Sequence, residues 1–316
     1  MVEQSNKECK AAGRIDEERD RRAGRAVGSG LRYRIARAWS TFATDRAALV
    51  SLIFLIAVLL VALLAPYISP HDPYEAERLM RNKPPLTEGY LLGSDSNGRD
   101  ILTRLLYGGR ISLTVGFLPT FLAMLISLGL GLLAGFFGGW VDQIIMRTLD
   151  AFFAVPLVLL AIAIAGVLQP GVTTEIIAIT VVLIPYISRI VRTSTLQVIS
   201  QPYIEAATAG GAGTWAIVFR YVFPNMISPV IVYATTLVGL MIVVVSGLSF
   251  LGLGVQPPDA DWGTMVSDGR VVLKKAPHAT IFPGLIIVLV ALAFNFVGDG
   301  LRDALDPKTV ARKARR

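Results

Sequence analysis

Six stretches of this chain are long, apolar and almost free of charged residues, and they constrain its fold more than any other feature. A helix needs about 20 apolar residues to cross the hydrocarbon core of a bilayer. Four stretches reach that length: Ala47 to Ile68, Ile111 to Val141, Val222 to Gln256 and Ala279 to Gly298. Two shorter ones, Ala151 to Leu168 and Ile176 to Ser188, also count as spans, because neutral residues can lengthen the second and leave Glu175 near an interface. The sequence therefore predicts an all-α integral membrane protein with six transmembrane helices.

The distribution of charge predicts the orientation of these spans. Only 17% of the 316 residues are charged, and most of the 30 Lys and Arg residues lie in the leader, the loops after the second and fourth spans, and the tail. Six spans put these four segments on one side of the membrane. Because basic residues favour the cytoplasmic side, we expect both termini in the cytoplasm. Membrane lipid headgroups account for basic residues beside the bilayer, so the net charge of +7 requires no nucleic-acid partner.

The spans also divide the chain into segments. We expect a cytoplasmic arm of disordered composition at residues 1–45, the first transmembrane helix at 46–69, an extracytoplasmic loop at 70–110, a core of five helices at 111–300 and a cytoplasmic tail at 301–316. Within the outer loop, the residues from Asp100 onward predict an interfacial helix that Asp100 caps and from which Arg99, Arg104 and Arg110 reach water. The outer loop is therefore expected to be irregular at first and helical at its end.

Ionisable residues are confined to the edges of the predicted spans, as at Asp150, Glu175 and Asp299. Ion-coupled transporters usually need ionisable groups inside the membrane, so a transport function would draw its energy from outside the bilayer. The sequence contains no G-x-x-x-x-G-K-[ST] phosphate loop. We therefore expect no catalytic site and no cofactor in this chain, with ATP and Mg²⁺ bound by partner subunits. Because the whole sequence contains two histidines and one cysteine, we expect no metal site in this chain.

The loop between the fourth and fifth spans has the pattern of a helix, a sharp bend and a second helix. Ser200 is the expected N-cap of the first helix, and Pro202 suits its first turn, where the missing amide needs no partner. A pair of glycines ends that helix, because glycine adopts positive φ at little cost. The second helix is predicted from Thr214 to Phe223, with Pro224 breaking it before the fifth span.

Residues of this loop resemble a known motif. The run Glu205-Ala206-Ala207, three further residues, Gly211 and then Phe223-Pro224 is similar to the "EAA" loop of ATP-binding-cassette (ABC) importer permeases. In that family the first helix is a coupling helix, which sits in a cleft of the ATPase subunit. The resemblance implies an ATPase-coupling role for Tyr203, Glu205, Ala206, Ala207, Gly210, Gly211 and Pro224.

Three further motifs extend the resemblance over roughly residues 45 to 308. They are Leu92-Gly93-Ser94-Asp95 with Gly98-Arg99-Asp100, Leu248 to Gly254 with Gln256-Pro257-Pro258 and Trp262-Gly263, and Gly298 to Pro307. Together they resemble the C-type permeases of dipeptide, oligopeptide, glutathione and nickel importers. The departures from that pattern are Ser94 in place of Thr, Gly210 in place of a larger apolar residue, and Phe223 in place of Leu.

The resemblance implies the fold, the activity and the partners. The fold would be that of a type I ABC importer permease in a prokaryotic cell membrane, moving short peptides by alternating access. Its partners would be a homologous second permease, two ATP-binding subunits and an extracytoplasmic solute-binding protein. The loops facing that binding protein would include Asp95, Arg99, Asp100, Gln256, Pro257 and Trp262. The same residues also have a structural explanation, as a turn with a helix cap and as a proline-stiffened loop.

Several alternatives stay open from the sequence alone. Polar residues within the spans are candidates for lining a pore: Thr120, Tyr186, Tyr233 and Asn295. A nickel or metal-chelate importer is a rival within the family. A secondary transporter or channel that works without ATPases, and a membrane anchor that moves nothing, are rivals of other classes. The sequence does not indicate which peptide would be carried.

Overall fold

The computed structural model describes residues 38–305, so most of the predicted arm and most of the predicted tail lie outside the described residues. Residues 47–299 form one compact unit, and the description below concerns that unit. Of the second unit, the structure describes a helical segment at residues 38–44 and the end of the last helix, beyond residue 299.

Within residues 38–305 all regular secondary structure is helical, which confirms the predicted fold class. After the segment at 38–44, the α-helices are α1 (Arg46–Leu63), α2 (Ala65–Ile68), α3 (Ile101–Phe137), α4 (Gly139–Phe153), α5 (Leu157–Leu168), α6 (Val172–Ile199), α7 (Pro202–Ala209), α8 (Thr214–Ile217), α9 (Phe223–Phe250), α10 (Trp262–Arg270) and α11 (His278–Leu305). A 3-10 turn occupies Arg78–Met80, and a π-helical turn joins α8 to α9 at Val218–Val222.

Five helical segments of the described chain are long and apolar enough to cross a membrane: α1, α3, α6, the continuous run Thr214–Phe250, and α11. The predicted third span is instead a bent pair, since α4 and α5 meet at 86°. The 12 residues of α5 extend about 18 Å, well short of a bilayer core of about 30 Å. Pro156 precedes α5 and cannot donate the amide that would continue α4 through the break. Six spans are reached if this bent pair counts as one.

The predicted interfacial helix and the predicted second span form one helix, α3. Asp100 caps its start as expected, accepting hydrogen bonds from the backbone N–H groups of Leu102 and Thr103. Gly108 and Gly109, two of the glycines inside it, lie where other parts of the chain pack closely against the helix. A Cβ at Gly108 would lie 3.2 Å from the Cα of Asp261, and a Cβ at Gly109 would lie 3.1 Å from the ring of Trp262. The predicted interfacial helix is therefore the first part of a long membrane-spanning helix.

The core lies where α3, α6 and α9 pack together. Gly131 and Gly135 of α3, which make a small-xxx-small pair, face α6. A Cβ at Gly131 would lie 2.6 Å from the Cβ of Val191, and one at Gly135 would lie 2.8 Å from the Cβ of Thr195. The two helices are therefore too close to admit larger side chains at this crossing. They form a tightly packed pair that leads to the loop after α6.

Candidate functional site

Helix α7 follows α6 after only two residues. Ser200 ends α6 instead of capping α7, which corrects the prediction: its backbone N–H and its Oγ both donate to carbonyls of α6. Gln201 occupies the N-cap position of α7 and makes no side-chain cap there. Pro202 stands in the first turn, as predicted. The short connection means that α7 and the end of α6 are joined without a flexible linker.

The bend after α7 uses one of its glycines for its conformation. Gly211 has φ of +82°, in the region that favours glycine, and the N–H of Ala212 returns to the carbonyl of Ala207 at 3.1 Å. This confirms the predicted sharp bend. Gly210 has φ of −75°, which any residue can adopt. The backbone therefore requires glycine at position 211 and leaves position 210 open to other residues.

Exposure sets α7 apart from the rest of the unit. Of its eight residues, all of which are described, Ile204 alone is buried, at 5% exposure. Tyr203 is 42% exposed, and Glu205 and Ala206 are exposed beside it, while Ala207 is half-buried. Small side chains keep the bulk of this surface low. The helix is thus anchored by one buried side chain and leaves most of its other side chains exposed.

The chain continues from the bend into the fifth span without a break. The prediction that Pro224 ends the second helix is wrong, because residues Thr214–Phe250 form one helical run. Pro224 lies in the first turn of α9, directly after the π-helical turn Val218–Val222. At the end of that turn the backbone N–H of Phe223 donates to the carbonyl of Val218. Pro224, which has no N–H to donate, follows directly. The bend after α7 is consequently connected to a long helix on its far side as well.

Two aromatic residues next to this bend were not singled out from the sequence. Trp215 and Phe219 are both mostly exposed, and their rings stack at 6.0 Å. Their i, i+4 spacing is the signal that could have identified them. They extend the exposed surface of α7 with an apolar patch.

The outer polar residues behave in the opposite way. Arg99 donates from Nε to Asp95 at 2.7 Å and from a terminal nitrogen to Asp268 at 3.3 Å. Arg104 lies 3.7 Å from the same Asp95 carboxylate and donates to the carbonyl of Pro73 at 3.3 Å. Arg104 is only 2% exposed and Arg99 only 8%, so the prediction that they reach water is wrong for these two, whereas Arg110 is exposed as predicted. We call these residues, with Asp100, the outer polar cluster; buried charges of this kind are paired because desolvation would otherwise be costly.

Trp262 joins this region to α3. It is 1% exposed, its Nε1 donates to the carbonyl of Leu105 at 3.0 Å, and its backbone N–H donates to Oγ of Ser112 at 3.0 Å. Asp261 caps α10 in front of it, and burial raises the pKa of the Asp261 carboxyl although hydrogen bonds from Thr264 and Gly263 oppose that shift. Trp262 is therefore a core residue of the outer region.

The six residues expected to face a binding protein thus fall into two groups. Gln256 and Pro257 are exposed. The side chains of the other four are buried within the chain: Asp95, Arg99, Asp100 and Trp262. In this conformation these four side chains lie beneath the protein surface and can influence it only through the residues that cover them. The structural explanation of these motifs accounts for all four.

The comparisons with known proteins agree with this architecture. Residues 127–311 match the family model "binding-protein-dependent transport system inner membrane component", and residues 34–85 match the "N-terminal TM domain of oligopeptide transport permease C". The chain belongs to this family of transport permeases. Membership favours a transport permease over the membrane anchor and over the self-contained secondary transporter or channel that the sequence left open.

Relatives of the permease are similar over most of its length. The glutathione transport system permease protein GsiD of Pectobacterium atrosepticum is 42% identical, over 85% of this chain and 90% of its own. The dipeptide transport system permease protein DppC of Haemophilus influenzae is 40% identical, over 85% of this chain and 93% of its own. Among solved structures, the inward-facing MetNI methionine ABC transporter matches with a TM-score of 0.53 at 20% identity, over 65% of this chain and 96% of that chain. This last likeness shows the fold.

The pore-lining candidates of the permease differ in exposure. Thr120 is buried in the core, and its Oγ1 donates to the carbonyl of Gly116 at 3.3 Å, so it does not line a passage in this conformation. Tyr186, Tyr233 and Asn295 are half-buried. They keep their predicted role as candidates, whereas Thr120 is better explained by helix packing.

The carboxyl group of Glu175, which the sequence places near a membrane interface, is buried in the permease. Glu175 lies in the first turn of α6, as the span boundaries predicted, but it is 1% exposed. Ser249 donates from Oγ to one of its oxygens at 3.4 Å, and a Cβ at Gly254 would lie 2.7 Å from that oxygen. The helix ends around it therefore enclose the side chain in protein.

Proposed function

We propose that this permease imports short peptides across the cytoplasmic membrane by alternating access, driven by separate ATPase subunits. The observation that carries the proposal is helix α7, which is exposed except at Ile204 and in part at Ala207 and is joined to long helices by short connections at both ends. A short exposed helix with rigid connections can receive a displacement from a partner and pass it to the membrane helices. The permease relatives named for dipeptides and glutathione support peptides as the cargo and give no support to nickel.

The proposed partners follow from this division of labour. ATP and Mg²⁺ bind to two ATPase subunits, a homologous second permease completes the passage, and an extracytoplasmic binding protein delivers the peptide. Tyr203, Glu205 and the alanines of α7 contact the ATPase, with the bend at Gly210 and Gly211 and the turn at Pro224 holding α7 in place. Both termini lie in the cytoplasm, as the distribution of Lys and Arg supports. Gln256 and Pro257 face the binding protein.

Reconstitution with a charge reversal on α7 tests the proposal. The full transporter is placed in proteoliposomes, and uptake of a labelled dipeptide and of glutathione is measured with and without ATP. In Glu205→Arg, a longer and oppositely charged side chain enters the contact with the ATPase, so we expect uptake to fall about tenfold or more while the complex still assembles. Glu88→Arg is the matched control, since it reverses an exposed charge in the outer loop.

Several results would contradict the proposal. Uptake by this chain alone in response to an ion gradient would show that it needs no ATPase. Wild-type uptake in Glu205→Arg would remove the coupling role of α7. Uptake of Ni²⁺ without any peptide transport would replace the proposed cargo with a metal.

A further inference from the structure

Helix α4 lies between two abrupt changes of direction. Gly138 and Gly139, which separate it from α3, have φ of +60° and +52°. A Cβ would meet nothing within 4 Å at either position, so the backbone conformation and not crowding favours glycine there. At its other end, the break before Pro156 turns the chain by 86° into α5. Helix α4 is therefore a rigid segment with a glycine hinge on one side.

Packing alone holds α4 weakly. Leu149 is its one buried residue, and the whole helix is described. Its other side chains are exposed or half-buried. An amphipathic helix usually buries a full apolar stripe against the core. Something other than the apolar core must therefore set the position of α4.

Two ion pairs attach α4 to α6. Arg192 binds both carboxylate oxygens of Asp142, through Nε and a terminal nitrogen, at 2.5 Å each. Arg189 donates to Asp150 at 2.5 Å, and its guanidinium lies 3.7 Å from the centre of the Phe153 ring. Bidentate and ring-stacked guanidinium contacts fix orientation as well as distance. We call these two ion pairs the double clamp.

The double clamp is located where a movement of α7 would arrive first. Arg192 precedes the end of α6 by seven residues, or about 10 Å of helix. Two residues separate that end from the start of α7. The close glycine packing at Gly131 and Gly135 makes α3 and α6 one body there. Helix α4 can rotate at its glycine hinge relative to that body unless the clamp holds it.

We infer that Asp142, Asp150, Arg189 and Arg192 are positioning residues for transport: they carry the displacement of α7 from α6 to α4, and so to the α4–α5 bend. This inference rests on the proposed function, since it needs α7 to receive a movement from the ATPases. With the clamp intact, α4 follows α6 through the ATP cycle. With the clamp broken, the glycine hinge lets α4 lag behind.

A distance measurement across the clamp tests this. Cys9 is the single cysteine of the chain, so Cys9→Ser gives a cysteine-free background. Spin labels are then attached through Gln143→Cys on α4 and Gln197→Cys on α6, two exposed positions. Pulsed electron paramagnetic resonance then reports the distance between α4 and α6 in the complete transporter, without nucleotide and with ATP and vanadate. With the clamp intact, we expect one narrow distance that is the same in both states.

Charge reversal breaks and restores the clamp. In Arg192→Asp, two carboxylates face each other in place of the bidentate ion pair. The remaining Arg189–Asp150 pair is exposed and too weak to hold α4 by itself, so we expect a broadened distance that differs between the two nucleotide states. Peptide uptake per ATP hydrolysed should fall about tenfold, within the range typical of coupling between two sites. Adding Asp142→Arg restores an ion pair of opposite polarity and should restore both readouts, which a general folding defect would not do. Arg147→Gln, on the same helix and exposed, is the matched control and should change neither.

An unchanged narrow distance in Arg192→Asp, in both nucleotide states, would overturn the inference. So would a double variant that assembles normally but behaves like Arg192→Asp. The distance readout decides the clamp whichever solute is carried. A transporter in which the unmodified complex moves no peptide, but in which charge reversal changes the α4–α6 distance, would refute the proposed cargo and leave the clamp standing.

Discussion

The outer polar cluster and helix α7 both carry motif residues that the resemblance assigns to contacts with partners, yet the structure treats them in opposite ways. In the outer region, Arg99 and Trp262 are buried and each is held by hydrogen bonds or ion pairs. On α7, the corresponding motif residue Glu205 is exposed, and Ile204 alone anchors the helix. The comparison distinguishes buried motif residues, which support the fold beneath a surface, from exposed motif residues, which are themselves available for contact. Substitutions in the first region should therefore lower stability, and those in the second should lower transport alone.

The largest effect on stability is expected from Trp262→Ala. The substitution removes a buried ring and its hydrogen bond to the carbonyl of Leu105 on α3, and we expect the free energy of unfolding to fall by about 3–5 kcal/mol. Thermal unfolding of the purified permease in detergent measures this. Gln256→Ala is the control in the neighbouring loop, and its effect should stay within about 0.5 kcal/mol because the side chain is exposed. Equal stability of the two variants would contradict the buried role of Trp262.

A smaller effect should distinguish the two glycines of the bend. Gly211→Ala puts a Cβ on a residue with φ of +82°, and we expect a loss of about 1 kcal/mol in the free energy of unfolding. Gly210→Ala keeps an ordinary φ and should be close to neutral. Because the bend positions α7, uptake should fall further in Gly211→Ala than in Gly210→Ala. The opposite order in either measurement would show that position 210, and not position 211, controls the bend.

The smallest stability effect is expected on α7 itself. Glu205→Ala removes an exposed side chain and replaces it with a residue of higher helix propensity, so the free energy of unfolding should change by no more than about 0.5 kcal/mol. Uptake by the reconstituted transporter should nevertheless drop, because the contact with the ATPase is lost. The contrast with Trp262→Ala is the sharpest test of the comparison. A Glu205→Ala variant that unfolds much more easily would place α7 in the same class as the outer region.

Parts of this architecture could be predicted from local patterns. Span positions followed from apolar length, the cap at Asp100 from its residue type, and the bend at Gly211 from its glycine. The failures concern the continuity of helices. Pro224 has the local character of a helix breaker but follows a π-helical turn inside one helical run, and the predicted interfacial helix continues into the second span.

Burial of the polar motif residues was equally beyond sequence reasoning. Arg99 and Arg104 can reach water from an isolated helix, and nothing local shows that Asp95, Asp268 and Pro73 will surround them. The double clamp is of the same kind, since Asp142 and Arg192 are 50 residues apart in the chain. Pairing at such separations depends on how helices cross, and helix crossing is not encoded in any one segment.

Apolar length and local backbone preferences were enough to predict a multi-span membrane protein with a helix–bend–helix loop, whereas the permease assignment needed the resemblance of its motifs. Only the tertiary structure decided that the six apolar stretches become five helical runs and one bent pair. It also decided that Trp262 and the outer arginines are buried while α7 is exposed. The physical reason is that exposure depends on which distant residues come into contact, and those contacts exist only once the helices have packed.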